Sequence, residues 1–292
     1  MKKSRYIKTS VWLLTIFLAS LFVMPQVGLT EEKCTELYGD SDQRFSLATG
    51  SPGELGLLKA LADDFNKTNG TALCWKKAGS GASLKLLKEK KVDMVMVHAP
   101  AAEKQAVQEG WAIKRTLIGS NEFYIVGPKD DPAAIGKSKS AAEAYKKIAE
   151  AGAKFFSRGD NSGTHKKEMA VWKNAGIDPS GEWYIVTKTF MMATLKRADA
   201  EKGYFMTDSS TWIAAKKETP NLTILFRGDP FLINTYHALC QPKDATPGQK
   251  YASKFIDFVA SERGQKIIRD YGADKHGEGL YNDAAYAKQY DH

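Results

Sequence analysis

Residues 92–98 read Val-Asp-Met-Val-Met-Val-His, and four consecutive positions, Met94 to Val97, are apolar. A run this short has no polar side to turn to water. It reads as a strand buried on both faces, the pattern of a parallel sheet covered by helices. The flanks agree. Residues 82–90 and 101–109 both carry helical patterns. Further upstream, RFSLAT (44–49) is strand-like, and residues 54–69 place Leu55, Leu58, Leu61, Ala62 and Phe65 at helical spacing before the strand TALCW (71–75). Downstream, EFYIVGP (122–128) is another strand. Alternation of this kind predicts an α/β fold.

The stretch KDDPAAIGKSKS (129–140) is rich in breakers and marks a boundary. Beyond it the alternation repeats. Helices are expected at 141–151, 164–174, 191–201 and 209–217, and strands at KFFSR (154–158), GYFMTD (203–208) and LTILF (222–226). FLINTYHALC (231–240) then reads as a strand returning to the first half, followed by an amphipathic helix over 248–261. The expected organisation is a first lobe over 44–128, a second over 129–230, and a return to the first over 231–292 with C-terminal helices. Strands crossing between the two lobes would form a hinge on which they close around a ligand.

The first residues, MKKSRYIKTSVWLLTIFLASLFVM, place Lys2, Lys3, Arg5 and Lys8 before a short apolar stretch, the order of a secretory signal. An uncleaved anchor is the rival reading, but the stretch is short for a membrane span. Cleavage is expected near Thr30. The 292-residue chain has formal charge +8, and residues 1–30 hold four basic and no acidic groups, so removing them leaves +4 (8 − 4). A mildly basic domain suits anionic ligands. No dense Lys/Arg stripe with interleaved aromatics supports nucleic-acid binding.

In an exported protein Cys34 and Cys74 could pair, and Cys240, in an apolar run, reads as a buried core thiol. The cysteines lack Cys-x-x-Cys spacing and the histidines are scattered, so neither a metal nor a cofactor is expected.

Three predicted strand-to-helix junctions concentrate glycine and hydroxyl residues: 48–53 (Ala-Thr-Gly-Ser-Pro-Gly), 79–83 (Gly-Ser-Gly-Ala-Ser) and 157–164 (Ser-Arg-Gly-Asp-Asn-Ser-Gly-Thr). A helix N-terminus presents free N–H groups and partial positive charge, and glycine lets an anion approach the backbone. Ligands of α/β sheets gather at such strand ends. The candidate donors are Thr49, Ser51, Ser80, Ser162 and Thr164, with Ser83 in support. Arg158 supplies charge, and Asp160, two residues on, orients its guanidinium. For the first two junctions, ordinary helix capping explains the same residues. For the third, the competing reading is a surface Arg–Asp pair with Thr164 as a cap. His98, ending a buried strand, reads as structural.

The run from Ser157 to Glu168 (SRGDNSGTHKKE), with Trp172-Lys173, Val97-His98-Ala99-Pro100, Asn121-Glu122-Phe123, Trp183-Tyr184-Ile185, Ala193-Thr194-Leu195, Thr207-Asp208 and Asn234 with Tyr236, resembles the tungstate-binding proteins of bacterial ABC importers. The likeness covers most of residues 44–270. It implies a two-lobed periplasmic binding protein with a mixed sheet in each lobe, hinge strands and a ligand cleft. Such a protein is a monomer that delivers tungstate or a close oxyanion to a membrane permease and catalyses nothing. Phosphate-binding proteins share a similar Arg-x-Asp-x-Ser-Gly-Thr run, but they use a cleft carboxylate to accept the proton of hydrogen phosphate. Here His98-Ala99-Pro100 stands where that carboxylate is expected. The sequence departs from the tungstate pattern in its first junction, where a run of consecutive hydroxyls is usual. Two hydroxyls remain, Pro52 removes a backbone donor, and Glu54 adds negative charge. The alternatives are a binding protein for molybdate, phosphate or a small organic anion, and an exported hydrolase using Ser162 and His165. The last lacks a Gly-x-Ser-x-Gly elbow.

Overall fold

The computed structural model describes Met1 and residues 33–291, so the expected export signal over 1–30 lies outside the described residues. The chain first builds β1 (Glu36–Tyr38), β2 (Arg44–Thr49), α1 (Ser51–Glu54), α2 (Leu57–Asn69), β3 (Ala72–Lys77), α3 (Ser80–Lys88), β4 (Met94–Val97), α4 (Pro100–Gln108) and the long β5 (Ile113–Pro128). Its middle forms α5 (Ala141–Glu150), β6 (Phe155–Ser157), α6 (Gly163–Asn174), β7 (Tyr184–Val186), α7 (Met191–Ala200), β8 (Tyr204–Asp208), α8 (Ser209–Ala215) and β9 (Leu222–Phe226). It returns through β10 (Ile233–Cys240), α9 (Gln249–Ala260), α10 (Glu262–Asp270), α11 (Ala273–His276), β11 (Asn282–Asp283) and α12 (Ala284–Ala287).

Two mixed sheets share one strand. In the first, the order is β1-β3-β2-β4-β10-β5; β2 runs parallel to β3 and β4, and β10 is antiparallel to β4 and β5. In the second, β8 and β9 pair antiparallel with β5, and β6 is parallel to both β7 and β8. The crossing strand is β5. From Ile113 to Glu122 it pairs with β10; from Phe123 onward it pairs with β8 and then β9. The apolar pattern marks only residues 122–128 of this 16-residue strand, because Lys114, Arg115, Gly119 and Asn121 interrupt it upstream. Gly119 is required there: a Cβ would come within 2.6 Å of the Asn282 carbonyl, where β11 lies against β5.

The first sheet is covered on both sides, as residues 92–98 implied. Met94 and Met96 face a core with Phe45, Leu58, Phe65 and Phe255, while Val95 and Val97 face another with Leu84, Leu87 and Leu239. Adjacent side chains of a strand point to opposite faces, so a strand buried on both cannot alternate. The second sheet packs a separate core around Tyr145, Phe155, Phe156 and the fully buried Trp172.

The helix expected over 54–69 is broken. Gly56 is left-handed (φ 91°), and a Cβ on it would lie 2.4 Å from the Tyr271 hydroxyl, which donates to the Leu55 carbonyl at 2.6 Å. That bond removes a helical acceptor, so α2 starts only at Leu57. Cys34 and Cys74 form a disulfide that ties the segment before β1 to β3, and Cys240 is a buried free thiol.

Candidate functional site

The three junctions converge. Gly50 lies against Ala78, since a Cβ on it would sit 3.4 Å from that carbonyl. Across the cleft, a Cβ on Gly79 would meet the Ser162 Cβ at 3.0 Å and the Arg158 guanidinium at 4.0 Å, and one on Gly81 would meet the Asn161 carbonyl at 2.7 Å. On the other side, Gly163 faces the His98 ring, where a Cβ would lie 2.3 Å from it. The N-termini of α3 and α6 therefore face one another, and the glycines permit the approach.

At the third junction Arg158 is buried (4 % exposed) and donates to Asp160 Oδ2 from Nε (3.1 Å) and Nη2 (2.5 Å). This one-sided fork leaves other N–H groups of the guanidinium for an oxyanion. Asp160 Oδ1 accepts the Ser162 backbone N–H at 3.1 Å, so the carboxylate also shapes the turn. Two left-handed residues, Gly159 and Asn161, carry the chain round it (φ 59° and 57°). Ser162 caps α6, accepting the His165 N–H at 3.2 Å, and Thr164 is buried in the first turn.

The other predicted donors divide. Ser80 is buried and its Oγ accepts the His98 N–H at 3.2 Å; among the described residues no acceptor takes its own proton. Helix α3, which it opens, has Gly79 at its cap and no side-chain cap bond, leaving early N–H groups without a side-chain acceptor. Ser51 is half-buried at the start of α1, and Pro52 occupies that first turn, where its missing N–H costs nothing. Thr49 and Ser83 correct the expectation. The Thr49 hydroxyl donates to the Met96 carbonyl at 2.8 Å and that of Ser83 to the Ala78 carbonyl at 3.2 Å. Both protons are spent holding the sheet edge and the α3 turn.

Several residues were not singled out for the site from their types. His98 Nδ1 lies 2.8 Å from Asn234 Oδ1; Asn234 donates to Asn121 (2.7 Å), and Asn121 donates to Ser210 (2.7 Å) and Asp208 (3.3 Å). Because the Asn234 amide N–H is given to Asn121, its oxygen faces His98, and the imidazole proton sits on Nδ1. The chain of bonds runs from the end of β4 through β10 and β5 to β8, across the hinge. Burial, with Arg158 and Lys167 nearby, pushes the His98 pKa down to about 4 against the Asn234 hydrogen bond, so its ring is neutral at pH 7. Thr194, at the start of α7, shares hydroxyl bonds with Thr187 (2.9 Å) and Thr189 (3.0 Å). Behind the third junction, Glu168 accepts from Tyr184 (2.6 Å) and Trp172 (3.3 Å), and burial pushes its pKa up to about 7.

Ser162 and His165 are not arranged as a nucleophile–base pair. Ser162 Oγ is engaged as a cap, and His165 Nδ1 accepts the Asn161 N–H at 3.1 Å, so the imidazole is not poised as a base on that hydroxyl. Among the described residues no group of three or more His, Cys, Asp or Glu side chains is placed to hold a metal ion.

Residues 38–263 match the family model described as the PBP superfamily domain. The tungstate-binding protein TupA of Peptoclostridium acidaminophilum is 35 % identical over 237 residues, covering 80 % of this chain and 82 % of that protein. The chain belongs to the PBP superfamily. Two solved structures are also similar. The tungstate ABC transporter protein of Geobacter sulfurreducens has TM-score 0.71 and 41 % identity, covering 80 % of this chain and 100 % of that one. The tungstate-binding protein TupA of Desulfovibrio alaskensis G20 has TM-score 0.68 and 38 % identity, covering 82 % and 98 %. The mixed sheets joined by a crossing strand fit the two-lobed PBP architecture, with the N-termini of α3 and α6 facing one another between them.

Proposed function

We propose that this protein is an exported, monomeric solute-binding protein that captures a tetrahedral oxyanion, tungstate foremost, in the periplasm and delivers it to the permease of an ABC importer. The signal-like residues 1–30 supply the route of export. The observation that carries the reading is the buried Arg158, clamped on one side by Asp160 and facing α3 across the glycine contacts. In this reading Arg158 supplies charge, Asp160 orients it, and Ser80, Ser51, Ser162 and Thr164 stand with the helix N-terminal N–H groups as donors. Thr49 and Ser83 shape the junctions from behind.

Tungstate fits the chemistry of the donors as well as the relatives. It is fully ionised at neutral pH and brings no proton needing an acceptor. The carboxylate beside Arg158 is already committed to the guanidinium and a backbone N–H. Calorimetric titration of the mature protein with tungstate, molybdate, sulfate and phosphate tests the reading. Tight heats with tungstate and weaker or no heats with phosphate are expected. No heat with any of the four would refute oxyanion capture, and preference for phosphate would transfer the function to another ligand.

A further inference from the structure

The altered first junction puts Glu54 on a side of α1 that faces residues of the second lobe, where a bare carboxylate would repel an anion held nearby. It is not bare. Lys77, the last residue of β3, places Nζ 3.1 Å from Glu54 Oε1. The same ammonium lies 4.2 Å from the centre of the Phe190 ring, which belongs to the other lobe, at the cap of α7. The Arg158 guanidinium lies 5.4 Å from the centre of that ring. Phe190 therefore has a cation from each lobe near it. Glu54 also lines one cavity together with Met192 of α7 and Ala214 of α8, so this side of α1 faces the second lobe.

We propose that Lys77, held in place by Glu54, is an affinity-determining residue that latches the first lobe onto Phe190 of the second and slows escape of the bound oxyanion. The physical reason is attraction of an ammonium to the negative face of an aromatic ring, which grows as water is excluded. The Lys77 side chain is 30 % exposed and that of Glu54 22 %, so both are partly withdrawn from solvent. The contact joins the lobes and exists only while they are closed. Opening the cleft exchanges it for water, so the latch belongs to the dissociation step rather than to encounter. Glu54 then has a positive role: it fixes the ammonium over the ring. The proposal rests on the oxyanion-binding reading above.

The test is stopped-flow release of sodium tungstate from the mature protein. Lys77→Met keeps the apolar stem and removes the charge; release should quicken by about 5- to 30-fold, with the melting temperature of the ligand-free protein unchanged. Lys77→Arg should restore slow release. Phe190→Leu should act like Lys77→Met, and the double variant should release no faster than the quicker single variant. Wild-type release rates in Lys77→Met, or effects of the two substitutions that multiply, would overturn the latch. Small-angle scattering of the ligand-free protein separates this from the functional reading. If the wild type binds no tungstate, that reading fails, but a larger radius of gyration for Lys77→Met than for wild type would still support the latch, and equal radii would overturn it.

Discussion

At the scale of residues, Arg158 is the most exposed to test. Its guanidinium is buried with a single carboxylate partner. Arg158→Ala should weaken tungstate binding by at least about 100-fold, because a charge-assisted contact is lost and Asp160 stays behind without its partner. Titration calorimetry checks this. Two other residues give opposing pH dependences. His98 has its pKa pushed from 6.5 down to about 4, so the fold favours its neutral form. Its contribution to stability is complete above pH 6.5 and is lost as pH falls towards 4. Glu168 has its pKa pushed from 4.5 up to about 7, so the fold favours its protonated form; its contribution is complete below 4.5 and is lost as pH rises towards 7. Urea midpoints measured against pH should separate them. Glu168→Gln should leave stability rising with pH between about 4 and 6.5, and His98→Gln should leave it falling between 4.5 and about 7. Identical profiles for wild type and both variants would contradict the assignments. The residue types of SRGDNSGTH singled out the turn proposed here to hold the anion. The direction of each hydroxyl was hidden, because Thr49 and Ser80 look alike in sequence and differ only in which neighbouring backbone group they meet.

At the scale of elements, α6 carries the clearest prediction. Gly163 opens this helix beneath the His98 ring, where a Cβ would lie 2.3 Å from ring atoms. Gly163→Ala suits a helix by propensity, yet it should block the approach of the two lobes and weaken oxyanion binding by more than about tenfold, the factor that accompanies about 1.4 kcal/mol. Calorimetry of binding alongside thermal melting distinguishes this from unfolding. The cost should fall on affinity, with the ligand-free melting temperature little changed. Short elements were legible where periodicity was strong. Buried runs such as residues 94–97 and the α2 stripe of Leu58, Leu61, Ala62 and Phe65 follow directly from facing covered cores. The early half of β5 was not legible, since its polar residues serve partners far along the chain: Asn121 meets Asn234 and Asp208, and Lys114 meets Asp257. The break at Gly56 depends on Tyr271, more remote still. Periodicity reports a residue's local face; it carries no record of a partner two hundred positions away.

At the scale of the whole molecule, β5 and the bonded chain from His98 to Asp208 cross between the sheets, so closure is a property of both lobes together. The disulfide acts at this scale too. It closes a separation of 40 residues within the first lobe, and its reduction should cost about 2–4 kcal/mol of unfolding free energy. Denaturant unfolding with and without reductant measures that loss, and oxyanion affinity should persist wherever the reduced protein remains folded. The α/β class and the two-lobed plan were readable from alternation and from the return of residues 231–240. Convergence of the junctions was expected from their place at strand ends, but its contacts were not, because only the folded sheets show that Gly79 meets Ser162 and that Gly163 meets His98. Oxyanion capture between the two lobes is tested by a crystal structure of the mature protein with tungstate, located by the anomalous signal of tungsten. One strong peak is expected between the N-termini of α3 and α6, within hydrogen-bond reach of Arg158 and of Ser80. A peak confined to one lobe away from Arg158, or no peak at saturating tungstate, would contradict it.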